Sequence, residues 1–255
     1  MEQRDVARDA EPLAPHPVLP RYYGRAEERS GFVRQIFDKT AGDYDSVERL
    51  VGFGRGSRYR RDALIRAGLR PGMRVLDVAT GTGLVAREAL SLVGDAGVVI
   101  GLDPSEPMMR SGPGTSVLPL IQGTAERLPL ADAEFDFITL GFALRHMSDL
   151  HSAFREFYRV LRPGGIVCLL EITPPRAAWA RRLLKFYLGK MVPILSRVLA
   201  RHDETSLLLR YFWDTIEACA PPAQVSEALG RAGFTAIRRH VEVQVFSEYT
   251  ARRQS

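Results

Sequence analysis

Residues Val75–Gly83 read VLDVATGTG. An apolar run carries one aspartate, Asp77, and then turns into Thr80-Gly81-Thr82-Gly83. A run of this kind suits a strand covered on both faces, as in a parallel sheet. Gly81 and Gly83 allow a tight turn at its end and leave open space where side chains would otherwise stand. In an open α/β sheet that place, beyond the carboxyl end of a strand, is where ligands sit. The spacing D-x-x-x-G-x-G differs from the dinucleotide fingerprint G-x-G-x-x-G, because Leu84-Val85-Ala86 follow Gly83.

Working outward, further apolar runs at Val98–Asp103, Val117–Gln122, Phe135–Phe142 and Ile166–Ile172 predict strands. Helical periodicity near 84–94, 105–112 and 148–162 separates them, and Pro163-Gly164-Gly165 predicts a sharp end to the last helix. Strands alternating with helices predict a doubly wound, mostly parallel, Rossmann-like α/β sheet. Upstream, Ser30–Tyr44 and Ser57–Gly68 read as helices. Downstream, Gly233 reads as a helix cap followed by two β-branched strands, a final antiparallel pair. We therefore expect a tail over 1–20 and one domain over 21–255. Its parts are lid helices over 30–56, a core over 57–172, a helical insertion over 173–222, and a terminal helix and strands over 223–255. The tail is charged, then proline-rich, and reads as disordered.

The loop after the first strand fits an adenosine-containing ligand without a pyrophosphate; a plain glycine turn is the other reading. Asp103, at the tip of the second strand, can accept hydrogen bonds from both ribose hydroxyls. It can also be read as a helix N-cap before Pro104. Thr124-Ala125-Glu126, after the third strand, are placed to read an adenine edge. As a set these resemble the class I S-adenosylmethionine-dependent methyltransferases over about 57–172. The resemblance implies S-adenosyl-L-methionine as cofactor, held by Asp77, Ala79, Thr80, Gly81, Gly83, Asp103, Pro104, Met108, Thr124, Ala125, Glu126 and Gly141. Many relatives carry Asp or Asn where Thr124 stands.

FVRQIFDKTAGDYDSVERLVGFGRGSRYRR, FDFITLGFALRHMSDLHSAFREFYRVLRPGG and RYFWDTIEACAPPAQVSEALGRAGF extend the likeness. They resemble the ubiquinone/menaquinone biosynthesis C-methyltransferases from about Phe32 to Phe234. The sequence departs from that family's pattern at Glu48, at Gly56-Ser57, at His146 and in VEVQVFSEYTARR near the end. These are places where an acceptor would be held. The resemblance implies a quinol or phenol acceptor such as a demethylmenaquinol or ubiquinone precursor. A different aromatic or natural-product acceptor, methylated at carbon, oxygen or nitrogen, is the runner-up.

Methylating a ring carbon is helped by removing the proton of a neighbouring hydroxyl, or by a cation that favours the phenolate. Arg145 and His146 follow the fourth strand: Arg145 for the phenolate, His146 as a proton relay near neutral pH. The other reading pairs Arg145 with Asp149 and leaves His146 structural. Tyr44, in GDYD, is expected on the lid over the sulfonium, or else in a helix-ending turn.

The chain of 255 residues is 45% hydrophobic and 25% charged, with formal net charge +5 and pI about 9.5. A modest basic excess does not choose among anionic partners. No basic strand face with interleaved aromatics marks an RNA-binding module, so nucleic acid is not expected. The two cysteines, Cys168 and Cys219, stand in no metal spacing and read as reduced, and no metal is expected. This usage suits the cytoplasm, and no apolar run reaches the roughly 18 residues of a membrane span. Within 176–201, seven Lys/Arg accompany a stripe of Trp179, Leu183, Tyr187, Met191, Leu195 and Val198. This segment predicts either peripheral contact with an anionic bilayer or a lid packed on the protein itself. A homodimer is compatible with all of this.

Overall fold

A computed structural model of the chain describes residues 11–51, 56–175, 177–187 and 203–255. Its centre is a seven-stranded sheet in the order β3-β2-β1-β4-β5-β7-β6. The strands are β1 (Arg74–Val78), β2 (Val98–Asp103), β3 (Leu120–Gln122), β4 (Phe135–Gly141), β5 (Leu161–Ile172), β6 (Thr235–Glu242) and β7 (Phe246–Arg252). The first five run parallel; β7 is antiparallel to both neighbours. The strand order reverses between β1 and β4, so the ligand crevice belongs above their carboxyl ends.

The described helices are α1 (Arg29–Thr40), α2 (Tyr44–Val51), α3 (Gly56–Ala67), α4 (Leu84–Val93), α5 (Glu106–Ser111), α6 (Leu150–Val160), α7 (Ala178–Phe186), α8 (Asp203–Ala218) and α9 (Pro222–Arg231). Alternation along the strands feeds two cores. Leu76, Val78 and Ile138 meet Phe154 and Phe157 of α6 and Leu229 of α9. Val75 and Phe137 meet Leu64 of α3 and Ala86 and Ala89 of α4. Each fully buried side chain of this size contributes about 1.5–3 kcal/mol relative to exposure. Cys168 is buried in the second core.

Four local expectations change. The first lid helix stops at Thr40, whose hydroxyl bonds back to the Ile36 carbonyl at 2.7 Å. After a three-residue turn Tyr44 begins a new helix instead of ending the old one. The helix expected over 148–162 starts at Leu150, capped by Asp149, and ends at Val160. Leu161 already pairs with Phe135, so Pro163-Gly164-Gly165 form a register shift inside β5 and not a helix end. The third strand is shorter than expected and begins after Pro119, which has no N–H to donate.

The fourth change is in the tail. Residues 11–20 pack against the domain. The Leu13 amide donates to Asp149 Oδ1 at 2.8 Å, and the Leu13 carbonyl accepts from Leu150 N at 2.9 Å. Ala220 N donates to the Pro15 carbonyl at 2.6 Å. His16 is 2% exposed, and its carbonyl accepts from the buried Arg29 guanidinium at 2.6 Å. Above the sheet, Tyr23, Val33, Ile36, Leu208 and Tyr211 join α1 to α8 as a lid cluster.

Candidate active site

Two cavities open above the carboxyl ends of the strands, and they share Tyr44 and Phe142. The first, about 540 Å³, lies over β1, β2 and β4. At its floor the Asp103 carboxylate accepts from Gly81 N and from Ser105 N, both at 2.8 Å. Gly81 has φ +55, and Ala79 beside it φ +52, so the loop is wound left-handed as it leaves β1. Burial, only partly offset by the two backbone N–H groups, raises the Asp103 carboxyl from 3.8 to about 6.

Of the residues expected to hold a cofactor, Ala79, Gly81, Asp103, Pro104, Met108, Thr124, Ala125, Glu126 and Gly141 line this cavity. Asp77, Thr80 and Gly83 do not; they sit behind the wall. Asp77 is buried, accepting from the hydroxyls of Thr139 and, at 2.7 Å, Thr80. It ties β1 to β4 and to the loop, and burial raises its carboxyl to about 6. Gly83, φ +80, backs onto the 112–115 turn: a Cβ there would stand 2.6 Å from the Gly114 carbonyl carbon. Its lack of a side chain makes room for another loop, not for a ligand.

The lid closes the first cavity with Ser30, Gly31, Val33, Arg34 and Phe37 of α1; the sequence reads a lid helix here with Phe37 on its apolar face, but assigns none of the five to the site. Asp45 of α2 accepts from Thr82 Oγ1 at 2.6 Å, docking the lid on the glycine loop. The only sequence signal was the GDYD stretch itself.

The second cavity, about 650 Å³, has walls from Phe142, Ile172, Leu184, Tyr187, Leu209, Phe212, Ile216, Val243, Val245 and Phe246. Its charged lining comes from Glu48, Arg60, Arg145 and Glu242. An apolar cavity of this volume with a few convergent polar groups suits an aromatic small molecule. Phe142, between the two cavities, has φ +59, an unusual conformation for a bulky residue and one often held at functional sites.

The three residues expected to carry the chemistry are divided between the cavities. Arg145 lines the second, His146 the first, and Tyr44 both. Arg145 does not pair with Asp149, which caps α6 instead. Its Nη1 donates to the Phe142 carbonyl at 2.7 Å and to the buried Glu171 carboxylate, while its Nε and Glu171 Oε2 have no partner. The guanidinium lies 5.3 Å from the Phe212 ring centre.

His146 stacks on Tyr211 at 5.4 Å and meets the edge of Phe37 at 5.2 Å. Burial first, then the Arg145 charge, hold its imidazole well below the usual histidine range, so it is neutral at pH 7. Its Nδ1 is buried without a partner. Burial also raises the Tyr44 hydroxyl to about 12, so Tyr44 keeps its proton at neutral pH.

Comparison with known proteins gives consistent results. The model of the ubiE/COQ5 methyltransferase family matches residues 24–245. A demethylmenaquinone methyltransferase of Geobacillus kaustophilus is 34% identical over 216 residues, covering 82% of this chain and 89% of that protein. A ubiquinone/menaquinone biosynthesis C-methyltransferase UbiE of Shewanella sediminis is 34% identical over 187 residues, covering 71% and 74%. Among solved structures, a SAM-dependent methyltransferase of Thermotoga maritima superposes with TM-score 0.61 at 19% identity, covering 87% of this chain and all of that one. At that identity the likeness speaks for the fold alone.

Proposed function

The chain belongs to the ubiE/COQ5 methyltransferase family, and on that premise we propose that it moves the methyl group of S-adenosylmethionine to a ring carbon of a quinol or phenol. The acceptor is of the demethylmenaquinol or ubiquinone-precursor kind. The observation that carries this reading is the pair of cavities that, among the described residues, share Tyr44 and Phe142: one floored by Asp103, the other apolar with arginines in its wall.

Bound S-adenosylmethionine supplies an electrophilic methyl on a sulfonium. The rest is alignment, with the ring carbon brought to about 3 Å in line with the methyl. Asp103 and Gly81 hold the ribose, Thr124 to Glu126 face the adenine, and Tyr44 and Phe142 stand between the cofactor and the acceptor cavity. Arg145, fixed by Glu171 and the Phe142 carbonyl, offers its charge to a hydroxyl turning into a phenolate. Residues 21–255 act as one methyltransferase domain in this account, with residues 11–20 strapped to it.

Helix α7 fits delivery of an apolar acceptor. Leu184 lines the second cavity together with Tyr187 just beyond the helix, while Trp179, Leu183 and Phe186 are exposed beside Arg181 and Lys185, which share one carboxylate, Glu217, between them. We read this as peripheral contact with an anionic membrane surface; the rest of the stripe, Met191, Leu195 and Val198, lies outside the described residues. No helix among them is long and apolar enough to cross a membrane. A second reading, another hydroxylated aromatic acceptor, is favoured by Glu48 and Gly56, departures from the family pattern that line the second cavity.

The test is transfer of labelled methyl from S-adenosylmethionine to a demethylnaphthoquinol, the matching oxidised quinone, a simple phenol and RNA. The expected result is transfer to the quinol and none to the quinone, which lacks the hydroxyl. Transfer to RNA alone contradicts the proposal.

A further inference from the structure

The second cavity holds a buried ion pair that Arg145 and Glu171 do not explain. Glu48 of α2 and Arg60 of α3 meet at 2.6 Å, with side chains 19% and 5% exposed. Gly56 leaves room for the pair: a Cβ there would stand 2.5 Å from Glu48 Oε1 and 2.6 Å from Arg60 Nη1. Arg60 Nε is buried without a partner, and its guanidinium lies 5.5 Å from the ring centre of Phe142, the wall facing the first cavity.

We propose that Glu48 takes the proton from the acceptor's ring hydroxyl, with Arg60 as its positioning residue; this rests on the reading of the second cavity as the acceptor site. Among the described residues lining that cavity, the other groups are unsuited. Arg145 and Arg60 are permanently charged donors. Tyr44 carries its proton. Glu242 is 38% exposed at its side chain, and its partner Arg66 also grips Glu248 and is not among the residues lining the cavity. His146 faces the first cavity. Glu48 alone is a carboxylate on the acceptor's side whose one partner, Arg60, also lines the cavity.

The hydroxyl O–H breaks and its proton passes to a Glu48 oxygen, while the electron pair moves through the ring to the carbon beside the hydroxyl-bearing one. That carbon forms the new bond to the methyl, and the methyl–sulfur bond breaks with its pair left on sulfur. The ring carbon then loses its hydrogen as a proton to water, and Glu48 returns its proton to the oxygen. One proton is released for each methyl transferred, matching the positive charge lost by the sulfonium.

The test compares wild type, Glu48→Gln and Glu48→Asp with labelled S-adenosylmethionine and a demethylnaphthoquinol from pH 6 to pH 9, with cofactor affinity measured on each variant. Glu48→Gln should lose roughly 10²- to 10⁴-fold in kcat at neutral pH. It should regain rate by about tenfold per pH unit as the free hydroxyl ionises, with cofactor affinity unchanged. Wild type should stay nearly flat above pH 7, and Glu48→Asp, which keeps the charge, should stay flat at lower kcat. Loss by one constant factor at every pH, no loss at all, or a Glu48→Asp profile as steep as that of Glu48→Gln overturns the assignment. If the wild-type chain methylates no quinol or phenol, the reading beneath it fails first and the assignment falls with it.

Discussion

Asp103 carries the clearest consequence at the scale of a single residue. Its carboxyl titrates at about 6, raised by burial from 3.8. The sign follows from that direction: the folded, empty protein favours the protonated form. The stability this group contributes is therefore complete below pH 3.8 and lost as pH rises through about 6. Ribose hydroxyls want the opposite form, a carboxylate acceptor. Cofactor affinity should therefore be highest above pH 6 and fall below it. Asp103→Asn should weaken binding at pH 7.5 by about 10- to 100-fold, the worth of hydrogen bonds to a charged group, and flatten the pH dependence. Calorimetric titration at pH 5 and pH 7.5 checks both effects.

Arg145 requires a different variant from the obvious one. Arg145→Ala would strand Glu171, 2% exposed at its side chain, and should cost about 3–5 kcal/mol of stability. Arg145→Lys keeps the charge and a group able to donate to Glu171 and the Phe142 carbonyl, but not the planar guanidinium that lies 5.3 Å from the Phe212 ring centre. We expect Arg145→Lys to fold, to bind cofactor as wild type does and to turn over slowly, while Arg145→Ala shows a lowered Tm. Thermal melts beside turnover assays separate the two effects. In the sequence, Asp103 and Gly81 were legible as neighbours because strand tips converge in this fold. Asp77, Thr80 and Gly83 drew attention through the same motif, yet their contacts with Thr139 and Gly114 depend on partners far along the chain. The partition of Arg145 and His146 was not legible either, because adjacent residues in a short helical turn can face opposite ways.

At the scale of elements, the β–α alternation was plain because apolar runs and helical periods are local signals. The strap at residues 11–20 was not. Its composition reads as unstructured, and its order comes from backbone hydrogen bonds to Leu150 and Ala220 and from the buried Arg29 beneath His16. The Pro163-Gly164-Gly165 shift inside β5 was hidden likewise, because the same triplet ends helices elsewhere. Helix α7 shows both faces of its reading at once: Leu184 packs toward the second cavity, while Trp179 and Leu183 are 73% and 61% exposed. A Trp179→Ser, Leu183→Ser double variant should lose at least about tenfold in affinity for anionic vesicles, since each side chain contributes about 1.5–3 kcal/mol on full burial. Activity toward a short-chain, water-soluble quinol should stay within about twofold, as neither residue lines the cavity. Co-sedimentation at low and high salt checks this, and wild type that ignores anionic vesicles at low salt contradicts it.

At the scale of the whole molecule, the sheet brings the residues proposed to hold the cofactor to one edge of a crevice, and the lid and the insertion supply the other side. The lid residues of α1 and the walls from α8 and the β6–β7 turn come from segments far from the glycine loop in sequence. Their helical and strand character was readable, but their convergence on one cavity was not. With the cofactor in the first cavity and the acceptor in the second, as proposed, the methyl group passes between them at the common wall of Tyr44 and Phe142. The direct measurement is fragmentation mass spectrometry of the product formed from trideuteromethyl-labelled S-adenosylmethionine and a demethylnaphthoquinol. The account predicts the label on the ring carbon beside a hydroxyl; a label found on oxygen, or only on nucleic acid, contradicts it.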